Sequence, residues 1–243
     1  MRARGAVTAV ALLVALVGCS PGRAEPPQVA SPTPTPTVQV TADPSDPAVV
    51  RATGGPLTSG PVTVTIVAPV AAATPADDGS ATIALSGGAA LLAAPEGMTL
   101  EALSDGSAVV RDDAGRFVAG LTTEPRRTGL EQVGPEVIRL FADEPVVVWL
   151  ASVAVESATW GEAEGGQSLA VVASAWARVR SLAAQDGLWT QVVDQAPDAD
   201  VPGMQDQLEC HELGAPDKAS WNLEPWRPVV DGIDMIAARC NPT

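Results

Sequence analysis

Three cysteines, one histidine and a tryptophan-rich segment carry most of the reactive chemistry in this sequence. His211 is the only histidine, so any Ser-His-Asp or Cys-His mechanism has to use it. No Gly-x-Ser-x-Gly elbow is present to expose a nucleophile. Cys210, His211, Cys240 and one acid would make up a four-ligand zinc set. Yet 207–212 alternates like a strand, which puts Leu208 and Cys210 on one face and Glu209 and His211 on the other, and there is no Cys-x-x-Cys. No metal site and no cofactor are expected, and His211 reads as an exposed residue on an edge strand. Paired carboxylates such as Asp112 with Asp113, Asp143 with Glu144 and Asp231 with Asp234 suit glycoside hydrolysis if they stand about 5 to 9.5 Å apart. With 29 acidic residues, however, coincidence supplies such pairs freely. A cell-wall hydrolase is therefore kept as the alternative to a binding or structural module.

The segment Trp221-Asn222-Leu223-Glu224-Pro225-Trp226-Arg227-Pro228 admits two readings. In one, Trp221 and Trp226 form a rigid platform for a wall glycan or an envelope protein, with Arg227 stacked on a ring or paired with Glu224. In the other, both rings fill the core beneath a disulfide loop, because this stretch has few other aromatics to supply that volume.

Cys19 belongs to a different chemistry. Residues 1–18 begin with Arg2 and Arg4, continue through about twelve apolar residues, and end in Leu16-Val17-Gly18 before Cys19. An apolar run of that length is too short for a hydrocarbon core that needs about 20 helical residues. The pattern predicts a signal peptide with a bacterial lipobox, cleaved before Cys19, whose thiol takes a diacylglyceryl group. Two or three fatty acyl chains, such as palmitate, anchor stably where one is marginal. The expected address is the extracellular face of the cell membrane, with membrane lipid as partner through Cys19. Cys210 and Cys240 are then left as an even pair in an oxidising compartment, which predicts a disulfide.

The net charge of −15 excludes the basic footprint of a nucleic-acid binder. Losing residues 1–18 removes two arginines and no acid, which takes the charge to −17. Adhesion to anionic lipid by the protein surface is disfavoured for the same reason, leaving the acyl chains to hold the molecule.

From residue 20 to 47, eight of 28 residues are proline, interleaved with Thr and Ser. Such a stretch favours extended polyproline II and stays disordered, reaching roughly 85 Å as a spacer. Residues 48–146 read as short strands. Val62, Val64 and Ile66 alternate with Thr63 and Thr65, and 99–103, 107–111 and 117–121 form a meander. Asp105-Gly106 predicts a type I′ turn within that meander. With 137–141 and 146–150 added, a sandwich-like module follows.

Residues 147–243 predict a smaller α+β module. Its expected elements are a hairpin around 161–166, a helix near 183–196 with Leu182, Trp189 and Val192 inward, and a last helix capped by Asp231. In that last helix Ile233, Ile236, Ala237 and Cys240 share the inner face. The fold class is thus α+β: a β-rich middle module, a disulfide-stapled terminal module, and a Pro/Thr-rich linker at 19–47.

The combination of Cys210-His211, the Trp221 to Arg227 segment and Cys240-Asn241-Pro242 resembles a carboxy-terminal domain of unknown function found in secreted proteins and lipoproteins of Gram-positive bacteria. The resemblance covers roughly residues 150–243 and implies export, but neither an activity nor a cofactor. The stretch from Asp105 to Leu121 also resembles a β-rich segment common in exported proteins of such bacteria.

Overall fold

The computed structural model describes residues 42–69, 72–126 and 128–243. The Leu16-Val17-Gly18-Cys19 motif and most of the Pro/Thr-rich linker lie outside the described residues. A short helix α1 (Pro47–Thr53) precedes β1 (Gly55–Ser59), β2 (Val62–Val67), β3 (Thr74–Pro75), β4 (Ala81–Leu85), β5 (Gly88–Ala93) and β6 (Thr99–Ala102). Next come β7 (Ala108–Arg111), β8 (Phe117–Glu124), β9 (Gly129–Gly134), β10 (Val137–Ala142) and β11 (Val146–Ala151). The rest forms β12 (Val155–Ala163), β13 (Gly166–Ala173), α2 (Leu182–Gln195), α3 (Met204–Gly214), β14 (Trp221–Leu223) and α4 (Gly232–Ala237).

The first eleven strands build two antiparallel sheets, ordered β1-β2-β5-β10-β9 and β3-β4-β11-β8-β7-β6. Alternation is the cause. In β2 the side chains of Val62, Val64 and Ile66 are buried while Thr63, Thr65 and Val67 are half-buried, so one face must find an apolar partner. The inner faces meet through Leu57, Ile66, Leu92 and Ile138 on one side and Ile83, Leu121, Val148 and Leu150 on the other.

β6, β7 and β8 form the expected meander. Its first turn is not type I′, because of Asp105 and Gly106 only the glycine has positive φ, at 83°. Gly106 donates its N–H to the Leu103 carbonyl, so Ser104 and Asp105 form the turn and Gly106 the bulge after it. Asp105 Oδ1 holds this shape by accepting from the Ser107 N–H and hydroxyl, at 3.1 and 2.6 Å. Two positive φ values in succession, 52° and 89°, occur instead at Glu164 and Gly165, the two-residue loop between β12 and β13.

The outer face of the second sheet is also covered. Val109, Phe117 and Ala151 share a core with Leu169, Trp176, Leu188, Val192 and Trp221 of the terminal part. Gly120 leaves room for this: a Cβ there would lie 2.2 Å from the Trp176 ring. Gly187 plays the same part on α2, where a Cβ would come within 2.6 Å of the Phe117 ring. Leu182 does not face inward. It starts the helix, its N–H donating to Asp105 Oδ2 at 2.8 Å, while Ala183, Ala184, Gly187, Leu188 and Val192 form the buried face. On the same helix, Gln191 and Gln195 bind the backbone of 152–158, which occupies polar groups that the edge of β12 would otherwise leave open. The residue 147 at which the terminal module was expected to begin lies inside β11, a strand paired with β4 and β8 in mid-sheet.

Two terminal elements differ from expectation. Residues 204–214 are helical, not extended. Met204, Gln207, Leu208 and His211 are buried at spacings of three, four and seven, and this period prevails over the local alternation of 207–212. In α4, Asp231 caps as expected, its Oδ1 accepting from the N–H groups of Ile233 and Asp234. The inner face is nevertheless Met235, while Ile233 and Ile236 are 79% and 60% exposed. The disulfide Cys210–Cys240 closes this region, with Cα atoms 5.4 Å apart. It joins α3, not a strand, to the end of the chain. Among the described residues no helix is long and apolar enough to cross a membrane.

Candidate functional site

β14 pairs with β13 and carries the chain into the Trp221 to Arg227 segment. Of the four residues expected to form a platform, the structure keeps Glu224, Trp226 and Arg227 together and sets Trp221 apart in the core. Trp221 is fully buried, its Nε1–H donating to the Ala215 carbonyl at 2.9 Å while the Arg178 guanidinium lies 5.0 Å from its ring centre. Glu224 and Arg227 are also buried and ion-paired at 2.7 Å. Arg227 further donates to Glu164 at 2.6 Å and to the Pro242 carbonyl at 3.2 Å. Burial alone lowers the Arg227 pKa, but its bonds to Glu224 and Glu164 more than offset that and leave it above its ordinary value. A buried pair of this kind holds geometry, and removing one partner typically costs about 3–5 kcal/mol.

Trp226 alone of the four reaches the surface, 44% exposed. Its ring is held by two neighbours. Gly166 lies beneath it, where a Cβ would stand 2.3 Å from the indole, and the Arg227 guanidinium sits 4.6 Å from the ring centre. Gln207 adds a brace, receiving the Glu224 N–H at 2.9 Å and donating to its carbonyl at 3.0 Å. The indole Nε1–H of Trp226 makes no hydrogen bond among the described residues. The arrangement leaves part of a large indole exposed and held by a buried charged network, which limits the reordering needed on binding. Glu164 and Gly166 were missed from sequence. The only local signal was a Gly-rich loop, which gives no hint of a tryptophan about 60 residues downstream lying on it.

His211 is buried on α3, with Nε2 3.0 Å from the Asn222 carbonyl. That carbonyl only accepts, so Nε2 carries the proton. Burial first, and then the charge of Lys218, push its pKa below the ordinary value. A neutral, donating imidazole is a brace between α3 and β14, not the exposed edge residue expected. Asp112 and Asp231 also have structural partners. Asp112 Oδ1 accepts from the N–H groups of Ala114 and Arg116 while Oδ2 pairs with Arg116, and Asp231 caps α4. Among the described residues, no three His, Cys, Asp or Glu stand together as a metal-holding group.

The hairpin, α3, β14 and α4 that create this site all fall after residue 154. Residues 155–243 match the family described as "Protein of unknown function (DUF2599)". The match starts at the first residue of β12, so it takes in the whole Trp226 clamp and the disulfide. The chain is also similar to uncharacterized proteins of Mycobacterium bovis and Mycobacterium tuberculosis, 43% identical over 96 residues, covering 36% of this chain and 65% of each relative. An uncharacterized protein of Mycobacterium leprae is 46% identical over 65 residues, covering 25% of this chain and 53% of the relative. The chain thus spans less than two thirds of the length of these relatives. No solved structure matches.

Proposed function

We propose that this chain is a lipid-anchored protein on the extracellular face of the cell membrane, in which the terminal region acts as a binding module and Trp226 is the contact residue. One observation carries the reading: a large ring, 44% exposed, is fixed from below by buried charged groups. Exposed aromatics elsewhere in proteins are often mobile, whereas a preorganised tryptophan next to an arginine is the composition of binding hot spots. Its flat face suits the C–H face of a wall sugar or an apolar side chain of an envelope protein. The anchor rests on Leu16-Val17-Gly18-Cys19, supported by the basic and apolar residues before it.

Two measurements test this reading. Cys19→Ala is expected to abolish fatty-acyl labelling and to move the protein from the membrane fraction to the medium; unchanged fractionation overturns the anchor. Trp226→Ala is expected to weaken retention on purified mycobacterial wall material by roughly tenfold or more while the fold persists by circular dichroism. Equal retention overturns the contact role. Reproducible hydrolysis of that material, lost on replacing one carboxylate, replaces the binding reading with the cell-wall hydrolase.

A further inference from the structure

A second cleft lies far from Trp226 in sequence and uses the outer face of the second sheet. Its floor follows from strand register. Trp149 on β11 is paired directly with Thr82 on β4 and with Thr122 on β8, so the three side chains form one row across the sheet. Arg126, Arg178 and Arg180 border the same cleft, which holds about 350 Å³.

The charges are unusual for this molecule. Acidic side chains outnumber basic ones 29 to 14. The described arginines Arg51, Arg111, Arg116, Arg139 and Arg227 all pair with carboxylates. Arg126, Arg178, Arg180 and Arg239 have no carboxylate within ion-pair distance among the described residues; Arg239 borders a separate recess beside the disulfide, and the other three border one cleft. Arg178 spends its donors on backbone carbonyls of Ala173, Pro216, Lys218 and Ala219. Arg126 uses only Nη1, on the Val179 carbonyl at 2.7 Å. The Arg180 guanidinium makes no hydrogen bond among the described residues, and only its backbone N–H is used, on the Ala177 carbonyl.

Arg180 is also held in the left-handed region, φ 57° and ψ 51°, at the end of the 3₁₀ turn Ala177–Val179. Side-chain-bearing residues avoid that conformation, and glycine adopts it freely. An arginine kept there, exposed and unpaired at the rim of a cleft, is a strained residue of the kind found at ligand sites. Glu124 lines the cleft as well, without pairing with any of the three. It and the Thr82 and Thr122 hydroxyls suit hydroxyl groups, the indole of Trp149 suits a C–H face, and the arginines suit an oxyanion.

We propose that this cleft binds a sugar-sized, hydroxylated body bearing an oxyanion, either a carboxylate or a phosphate, with Arg126 and Arg180 holding the charge and Trp149 the ring. Arg126 and Arg180 also border a separate recess lined by Glu209 and Glu212. The site is independent of Trp226, and its failure leaves the Trp226 reading untouched.

The test uses the full chain in detergent, labelled with ¹⁵N, with the Trp149 indole resonance assigned through Trp149→Phe. Glucuronate and glucose 1-phosphate are the two anionic probes, and methyl glucoside is the neutral one. At least one anion is expected to shift the Trp149 signal saturably while methyl glucoside leaves it in place, and the responding anion identifies carboxylate or phosphate. Arg180→Gly is expected to weaken that binding by roughly tenfold or more, with a melting temperature that does not fall, since glycine relieves the left-handed backbone. Arg180→Lys is expected to lie between. Lack of response to both anions, equal response to methyl glucoside, or unchanged affinity in Arg180→Gly overturns the proposal.

Discussion

Glu212 carries a carboxyl group that is 2% exposed, and its Oε1 has no hydrogen-bond partner among the described residues. Burial pushes its pKa up from 4.5 to about 7, with the nearby Glu209 charge adding to the rise and Gln185 and Arg180 opposing it. The folded state therefore holds a proton that the unfolded chain releases near pH 4.5. Between those two values the native state binds more protons, so stability falls as pH rises and is fully present only below the unfolded value. At pH 8 the cost approaches 3 kcal/mol, at about 1.4 kcal/mol per pH unit. Glu212→Gln keeps the shape and removes the ionisation. Its melting temperature is expected to exceed that of the parent at pH 8, and the gain is expected to vanish at pH 4; an equal difference at both pH values means that Glu212 is not protonated in the fold. Little of this was legible from residue types. Glu212 reads as one acid among 29, and its burial depends on a helix that its own neighbourhood disguises. Trp226 could be singled out by its size, but its exposure could not be read from residue types, because it depends on Gly166 and Arg227 packing against its ring; the Arg126, Trp149 and Arg180 cleft draws on three segments that only the tertiary fold brings together.

The strands of the middle module and helix α2 lie where their patterns place them, whereas residues 207–212 do not. In β2 the alternating residues are β-branched, which favours a strand, and in α2 the helical spacing runs over fourteen residues. Residues 207–212 are six positions in which period two and period 3.6 both place Leu208 inward. Met204 and His211 decide the matter only when the window widens. α4 has the opposite problem. Its cap was correct, but six residues are too few to hold themselves as a helix, and only Met235 anchors it by burial. The disulfide therefore does much of the work of placing α4. Closing a loop 30 residues long restricts the unfolded chain by roughly 3.5 kcal/mol in the loop-entropy model. Reduction is expected to speed amide exchange in 232–237 by at least tenfold while β12 and β13 keep their protection. Uniform loss of protection across the terminal part counts against this account, as does unchanged exchange in α4.

At the scale of the whole molecule, the question is whether the sandwich and the terminal part unfold as one body. The described residues fall in one compact unit. The ends of β7, β8 and β11 contribute Val109, Phe117 and Ala151 to the core that holds α2 and Trp176. Two glycines set that interface: the Trp176 ring lies on the sheet because position 120 has no side chain, and α2 lies on Phe117 because position 187 has none. Glycine costs a helix about 1 kcal/mol relative to alanine, and at position 187 contact with an aromatic ring offsets the loss. Arg111 adds a link by pairing with Asp186 on α2 at 2.6 Å. A shared core of this kind makes separate melting unfavourable, because detaching α2 exposes Phe117 and Trp176 together. Calorimetry of the full chain with the disulfide intact is expected to show one transition for the folded part, with calorimetric and van't Hoff enthalpies agreeing. Phe117→Ala should lower that single transition, by about 3–5 kcal/mol for a buried aromatic, without splitting it. Two transitions in the parent protein, or a Phe117→Ala variant in which only the sandwich is destabilised, would show that the two parts fold separately and that the contact across Gly120 and Gly187 carries little energy.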